Sequence, residues 1–349
     1  MTKYCCSENQ HGCRASVKLG RAVYLPKGSR VSALLVTLVL SFVSLLAETA
    51  TAQTIPPSMR PSNTVSPSHT STPKPKKAQT QQAIYVKYPS NLDSDAAYTQ
   101  RTNYLVSLLH LALEKSGTPF ITEAVPIETL TASRNKRYLI TGRYDVNWMH
   151  TNEEREGNLQ PVPVPLFKGL IGWRLLFVHR ENLDFFRKIT SIAEMKPLYA
   201  GHGHDWPDTY IFDAHKFNQK TASNRDSLIQ MLLRGRVDYL SRSIIEIWDE
   251  QISFANEKLT VEPSIALYYP SAYYFFVSPS NKNLADILHT GLQNAHTDGS
   301  FNALFHRFFG EAIRVAKLKQ RKVYELQNPY LSDLAPLDQK NLWFTIDTL

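Results

Sequence analysis

The tract Gly201-His202-Gly203-His204-Asp205-Trp206-Pro207-Asp208-Thr209 gathers two imidazoles, two carboxylates, an indole and a hydroxyl within nine residues. Its glycines permit a tight turn and Pro207 suits the first turn of a helix, which would leave backbone N–H groups free to hold an anion. His202, His204 and Asp205 could instead ligate a metal. A zinc site needs three or four convergent ligands, however, and nothing at a diagnostic spacing completes the set. As a phosphate-binding or dinucleotide loop the tract fails, because the following Lys-Ser/Thr and the third glycine are missing. It implies neither a metal nor a cofactor.

Catalysis needs a carboxylate or base of altered pKa beside a nucleophile. The acid–base candidates are Asp205, Asp208 and the Glu153/Glu154 pair, and no serine lies in a Gly-x-Ser-x-Gly elbow. The only cysteines are Cys5, Cys6 and Cys13. From Arg14 onward there is no thiol for a disulfide, a cysteine-ligated zinc or a cysteine nucleophile. The chain therefore reads as a binding protein rather than an enzyme.

The chain of 349 residues has a formal charge of +8, but the excess is local. Residues 83–349 hold 29 Lys/Arg and 29 Asp/Glu, so all the surplus lies in the first 82. A neutral folded part excludes duplex nucleic acid as the main partner, which would require a basic face on the fold itself. Val31–Ala47 is an apolar run of 17 residues behind Lys27 and Arg30, with Ala50-Thr51-Ala52 ahead of Gln53. Basic flank, apolar core and small-residue exit make residues 1–52 a signal peptide with an over-long start, and the protein periplasmic. The alternative is an uncleaved inner-membrane anchor, at the lower length limit for spanning. Residues 53–82 contain six prolines and much Ser, Thr and Gln, the composition of a disordered linker.

From Ala83 the pattern becomes that of a folded domain. Ala83–Tyr88 is strand-like; Tyr104, Leu105, Leu108, Leu109, Ala112 and Leu113 recur at helical spacing up to Gly117; Phe120–Val125 is a second strand. Strand, helix, strand in under fifty residues makes a βαβ unit and an α/β fold. One short pattern recurs: Gly142-Arg143-Tyr144-Asp145 and Gly235-Arg236-Val237-Asp238, 93 residues apart, each after a helical stretch and before a hydrophobic strand. Two such turns point to two lobes of similar build. Near the C-terminus, Glu311–Lys322 reads as a basic helix with a solvated face, followed by a tail through Leu342-Trp343-Phe344.

The order of these pieces resembles an extracellular solute-binding protein of family 3, the polar amino acid type, with the type II periplasmic binding fold. The strand and long helix of the opening match, as do Gly142–Asp145 and the turn Asn152-Glu153-Glu154-Arg155. Pro161–Leu166, the glycine turn at Gly201, and the closing run Tyr273–Val277, Asn281–Leu284 and Asp298–Phe301 follow in the family's order. The resemblance spans roughly 83–310. It implies two α/β lobes, 83–178 plus 272–349 and 179–271, with interlobe crossings near Arg174–Arg180 and Tyr268–Phe276. A small solute would sit in the cleft, and the protein would work as a monomer beside an inner-membrane permease or a sensor.

The resemblance also implies a site. Arg155 would grip a ligand carboxylate, where the residues alone allow a surface arginine paired with Glu153, Glu154 or Glu156. His150 and Trp148 would stand at the cleft rim, with a core tryptophan as the alternative. Gly203, Trp206 and Thr209 would contribute from the second lobe. Amino-acid binders of the family carry an acid just after the second Gly-Arg-x-Asp strand; here Arg242 and Ser243 stand there and Glu246 is the nearest acid. If Arg242 faced the cleft, two arginines would converge and favour a carboxylate-bearing solute; otherwise Arg242 lies outward on a helix start.

Overall fold

A computed structural model describes residues 82–91, 96–127, 132–254, 256 and 258–348. The expected signal peptide and all but the last residue of the expected linker lie outside the described residues. The order of elements is β1 (Ile84–Asn91), α1 (Ala96–Lys115), β2 (Phe120–Ile127), α2 (Ala132–Ile140), β3 (Val146–His150), α3 (Glu153–Asn158), β4 (Gln160–Val162), β5 (Trp173–His179), α4 (Leu183–Arg187), α5 (Ile192–Met195) and β6 (Ala200–Gly203). There follow α6 (Pro207–Ala214), β7 (Gln219–Ala222), α7 (Arg225–Leu233), β8 (Tyr239–Ser243), α8 (Ile244–Ser253), β9 (Leu259–Val261), β10 (Ile265–Tyr268), β11 (Tyr273–Val277), α9 (Lys282–Thr297), α10 (Ser300–Ala316) and β12 (Lys322–Glu325).

The opening βαβ unit is as the sequence predicts, with β1 and β2 paired in parallel from Ile84↔Phe120 to Asn91↔Ile127. A three-stranded antiparallel sheet in the order β3-β11-β4 lies beside it, with β3 packed against β1. The larger sheet has seven strands in the order β12-β10-β5-β8-β6-β7, with β9 also on β5. Its central strand β5 is buried along nearly its whole length, as its almost unbroken apolar run requires. The chain changes from the smaller sheet to the larger between Val162 and Trp173, ahead of the expected Arg174–Arg180, and returns between Tyr268 and Tyr273.

The two Gly-Arg-x-Asp turns do the same work. Gly142 and Gly235 take φ of 69° and 64°, the left-handed conformation that ends α2 and α7. Asp145 then donates its N–H to the Lys87 carbonyl at 2.8 Å and accepts from the Lys87 N–H at 2.8 Å. Asp238 makes the same pair of bonds with Tyr199, at 2.8 and 2.7 Å. Each turn thus fastens a new strand beside an earlier one, β3 beside β1 and β8 beside the residue that leads into β6.

Helices α1, α9 and α10 form the cover of the smaller sheet. A Cβ on Gly291 would overlap the Ala112 carbonyl, so α9 and α1 approach backbone to backbone only because that residue is glycine. The C-terminal expectation needs correction: α10 stops at Ala316, Lys317 is left-handed at φ 48°, and Lys322 begins a strand instead of ending a helix. The edge position beside β10 captures that segment, because Ser264 and Tyr268 offer unpaired carbonyls to Lys322 and Leu326. Beyond it Trp343 packs its ring on Gly169, and Phe344 donates its N–H to the Lys168 carbonyl at 2.7 Å.

Candidate functional site

The two faces of the larger sheet present different groups at the same level. The register pairs Arg174 with Ser243, Leu176 with Ser241 and Leu175 with Arg242, while Gly201 pairs with Leu240. Alternation then puts Arg174, Ser241 and His202 on the face covered by α6, and Arg242 on the other.

On the α6 face Arg174 is 3% exposed. It lies 2.7 Å from Asp208 in the first turn of α6 and donates to the Ser241 and Ile171 carbonyls at 2.8 and 3.1 Å. Tyr269 gives its hydroxyl to the same Asp208 oxygen. Burial alone would raise the Asp208 carboxyl, but Arg174, with His202, Tyr269 and Arg242, outweighs it and holds it below the ordinary value. His202 lies beside this pair, fully buried, with Nδ1 3.3 Å from Gln219 Oε1 and its ring edge-on to Phe212 at 4.4 Å. Desolvation lowers its pKa to about 4, so it is neutral near pH 7.

The smaller sheet contributes His150, the last residue of β3. Its ring meets Tyr273 edge-on at 4.9 Å, and Nδ1 lies 3.5 Å from Ser271 Oγ. Enclosure lowers its pKa to about 4 against the opposing pull of Asp208 and Glu246. His150 therefore stands where the end of the smaller sheet meets the Arg174–Asp208 pair.

On the opposite face Arg242 is 6% exposed and bidentate on Glu250, with Nε–Oε2 at 2.7 Å and Nη2–Oε1 at 2.5 Å. Glu246 Oε2 lies 3.1 Å away, and the other oxygen of Glu246 pairs with Arg101 of α1. The guanidinium lies 4.4 Å over the Trp206 ring. That indole in turn needs Gly203, where a Cβ would collide with it. Burial would lower the Arg242 pKa, yet the two glutamates raise it above its ordinary value, so the residue is held charged.

The predicted site residues thus fall into three groups. Trp206, Gly203 and Arg242 come together, with Thr209 in the same turn donating to the Gly203 carbonyl at 2.7 Å. His150 joins the Asp208 side. Trp148 is 7% exposed and edge-on to Phe275, which makes it core. Arg155 turns back on its own loop: Nη1 donates to the His150 carbonyl at 2.5 Å, and its N–H bonds the Asn152 side chain at 2.8 Å.

Two expectations change. Arg242 is neither outward nor a free cation facing a ligand, because two carboxylates neutralise it, and it does not converge with Arg155 on a solute. The N–H groups expected to be free after Gly203 are partly engaged, His204 with the Ala222 carbonyl at 3.2 Å and Trp206 with the Gly203 carbonyl at 3.1 Å. Among the described residues no group of three His, Cys, Asp or Glu could hold a metal ion. The sequence reading missed Arg174, Tyr269 and Glu250. A charge inside the apolar run Trp173–Val178 was the signal for the first, and glutamates four and eight residues after Arg242 were the signal for its partners.

No protein-family model matches the chain, and no curated protein matches it in sequence. Solved structures do match it in fold. The periplasmic VFT2 domain of Bordetella pertussis BvgS is 16% identical, with 64% of this chain and 93% of that one covered at a TM-score of 0.50. The probable amino-acid ABC transporter extracellular-binding protein ytmK of Bacillus subtilis is likewise 16% identical, covering 66% and 99% at 0.50. The chain accordingly has the fold of family 3 solute-binding proteins, the type II periplasmic binding fold. At this identity the likeness is one of fold.

Proposed function

We propose that this chain is an exported, periplasmic solute-binding protein that captures a small carboxylate-bearing solute where its two sheets meet, without catalysing a reaction. The observation that carries the reading is the meeting of His150, at the end of the smaller sheet beside Ser271, with Tyr269, Asp208 of α6 and Arg174 of the larger sheet. Ionic groups are rarely withdrawn from water without partners, and when they gather at the junction of two sheets they are suited to recognising polar solutes. Arg174, withdrawn from water and facing a single carboxylate oxygen, supports an anionic group on the solute.

The test is a thermal-shift screen over amino acids, dicarboxylates, peptides and cyclic solutes. A true ligand at 100 times its dissociation constant adds ~2.7 kcal/mol of stability. No stabilisation by any carboxylate-bearing solute would sink the reading. One neighbour is a periplasmic VFT2 domain and the other a probable amino-acid ABC transporter extracellular-binding protein, and the role of this chain is that of a soluble receptor or of a tethered sensory module. N-terminal sequencing of the exported protein separates those roles: a start at Gln53 favours a soluble receptor working with a permease, and an intact apolar run at 31–47 favours a tethered sensory module.

A further inference from the structure

Arg174 and Arg242 are both buried and both face carboxylates, but only one is fully engaged. Arg242 meets Glu250 through two parallel bonds. Arg174 meets Asp208 through Nη2 and a single oxygen, and that oxygen is shared with Tyr269. Its Nε has no partner, although the side chain is withdrawn from solvent. Two further buried atoms on the same face, His202 Nε2 and Ser241 Oγ, are also without partners.

We propose that Arg174 is the residue that takes the solute's carboxylate, and that Asp208 is a built-in competitor which occupies it until the solute arrives. This rests on the solute-binding reading above. A guanidinium fork is satisfied by a carboxylate aligned along Nε and one Nη, which gives two charge-assisted bonds where Asp208 gives one. Asp208 is held to α6 and cannot align in that way. The incoming group can, and the uncommitted Ser241 hydroxyl on the same face is a further donor for its oxygens. The exchange replaces one negative charge by another, so Arg174 is never left buried and unpaired. Asp208 stays in the first turn of α6, whose positive end favours a carboxylate. Arg155, the residue implied by the family resemblance, is already committed to the His150 carbonyl.

Formate, the smallest carboxylate, tests the exchange without knowledge of the natural solute. Thermal unfolding of the full chain is followed against formate, with chloride at equal ionic strength as control, in wild type, Asp208→Ala, Tyr269→Phe and Asp208→Ala/Arg174→Lys. Asp208→Ala should bind formate at least about tenfold more tightly than wild type, equivalent to removing ~1.4 kcal/mol of internal competition. Tyr269→Phe, which loosens Asp208, should lie between, and the double variant should lose the saturable response. An equal response in wild type and Asp208→Ala, or one that survives Arg174→Lys, overturns the proposal. Should Asp208→Ala fail to fold, Tyr269→Phe decides alone, and a response no greater than that of wild type overturns the proposal. A solute from the screen whose binding ignores Arg174→Lys would remove this assignment and leave the receptor reading standing. An Arg174-dependent formate response with no solute hit would do the reverse.

Discussion

Arg174 and Arg242 leave neighbouring strands of one sheet, on opposite faces, and are almost equally buried. Arg242 itself is closely matched: two glutamates from α8, the Trp206 face, and a continuation through Glu246 to Arg101 on α1. Around Arg174 the matching is partial, with one shared carboxylate oxygen and three polar atoms left over. Folding accounts for the first arrangement, since a closed ion network fixes α8 and α1 against β8. It does not account for the second, because unmatched buried polar atoms oppose folding. Of the two regions, the one folding would not build is the better candidate for function.

The sharpest way to break this contrast is to open the matched side. Glu250→Ala leaves Arg242 buried beside Glu246 alone and should cost about 3–5 kcal/mol, the usual penalty for one partner removed from a buried pair. Urea denaturation with an unchanged slope measures it. A loss below about 1 kcal/mol would mean that the network is solvated and that the two arginines do not differ in kind.

Acid tests the unmatched side. His202 has a folded pKa of about 4 against about 6.5 unfolded. The unfolded chain therefore binds more protons in between, so stability is complete above about pH 6.5 and falls as the pH drops toward 4. The full shift corresponds to roughly 3 kcal/mol. His150 adds to the same trend, and so does His296, each also lowered to about 4. Below that window the carboxyls of Asp208 and Glu246, both held under their ordinary values, continue it in the same direction. His202→Gln should flatten the stability profile between pH 6.5 and 4, and an unaltered profile would mean that this imidazole is not held neutral.

Much of the scaffold was legible because it depends on neighbours in sequence. The opening βαβ unit follows from apolar spacing between Ala83 and Val125, and the paired turns at Gly142 and Gly235 follow from glycine's access to positive φ. The site was legible only in part. The tract at Gly201 drew notice by composition, and Trp206 and Arg242 do meet. What Arg242 does there depends on Glu250, eight residues on, and that spacing reaches the arginine only because β8 passes directly into α8 at Ser243–Ile244. Lys322 illustrates the same limit: its stretch has helical composition, but the open edge of β10 draws it into a sheet.

Trp206→Leu keeps an apolar side chain under Arg242 while removing the ring. It should cost about 0.5–2 kcal/mol, the range for a cation above an aromatic face, and should leave the Arg242–Glu250 pair in place. If urea denaturation shows a loss comparable to that of Glu250→Ala, the ring rather than the glutamate is what holds the matched side together.

The smallest effect on folding is expected at Arg155, and it bears most directly on which arginine meets the solute. Arg155 is half-buried and spans from α3 to the His150 carbonyl. Arg155→Ala removes one hydrogen bond near water, so the loss should be about 0.5–1.5 kcal/mol. An arginine that grips a buried carboxylate costs ~2–5 kcal/mol of binding when truncated. Calorimetric titration of wild type, Arg155→Ala and Arg174→Lys with a carboxylate-bearing solute from the screen puts the two residues on one scale. With Arg174 as the grip, Arg174→Lys should carry the large loss, and Arg155→Ala should shift affinity only as far as His150 moves. The opposite ranking would return the carboxylate to the turn at Asn152–Arg155 and make the unmatched atoms around Arg174 a feature of folding after all.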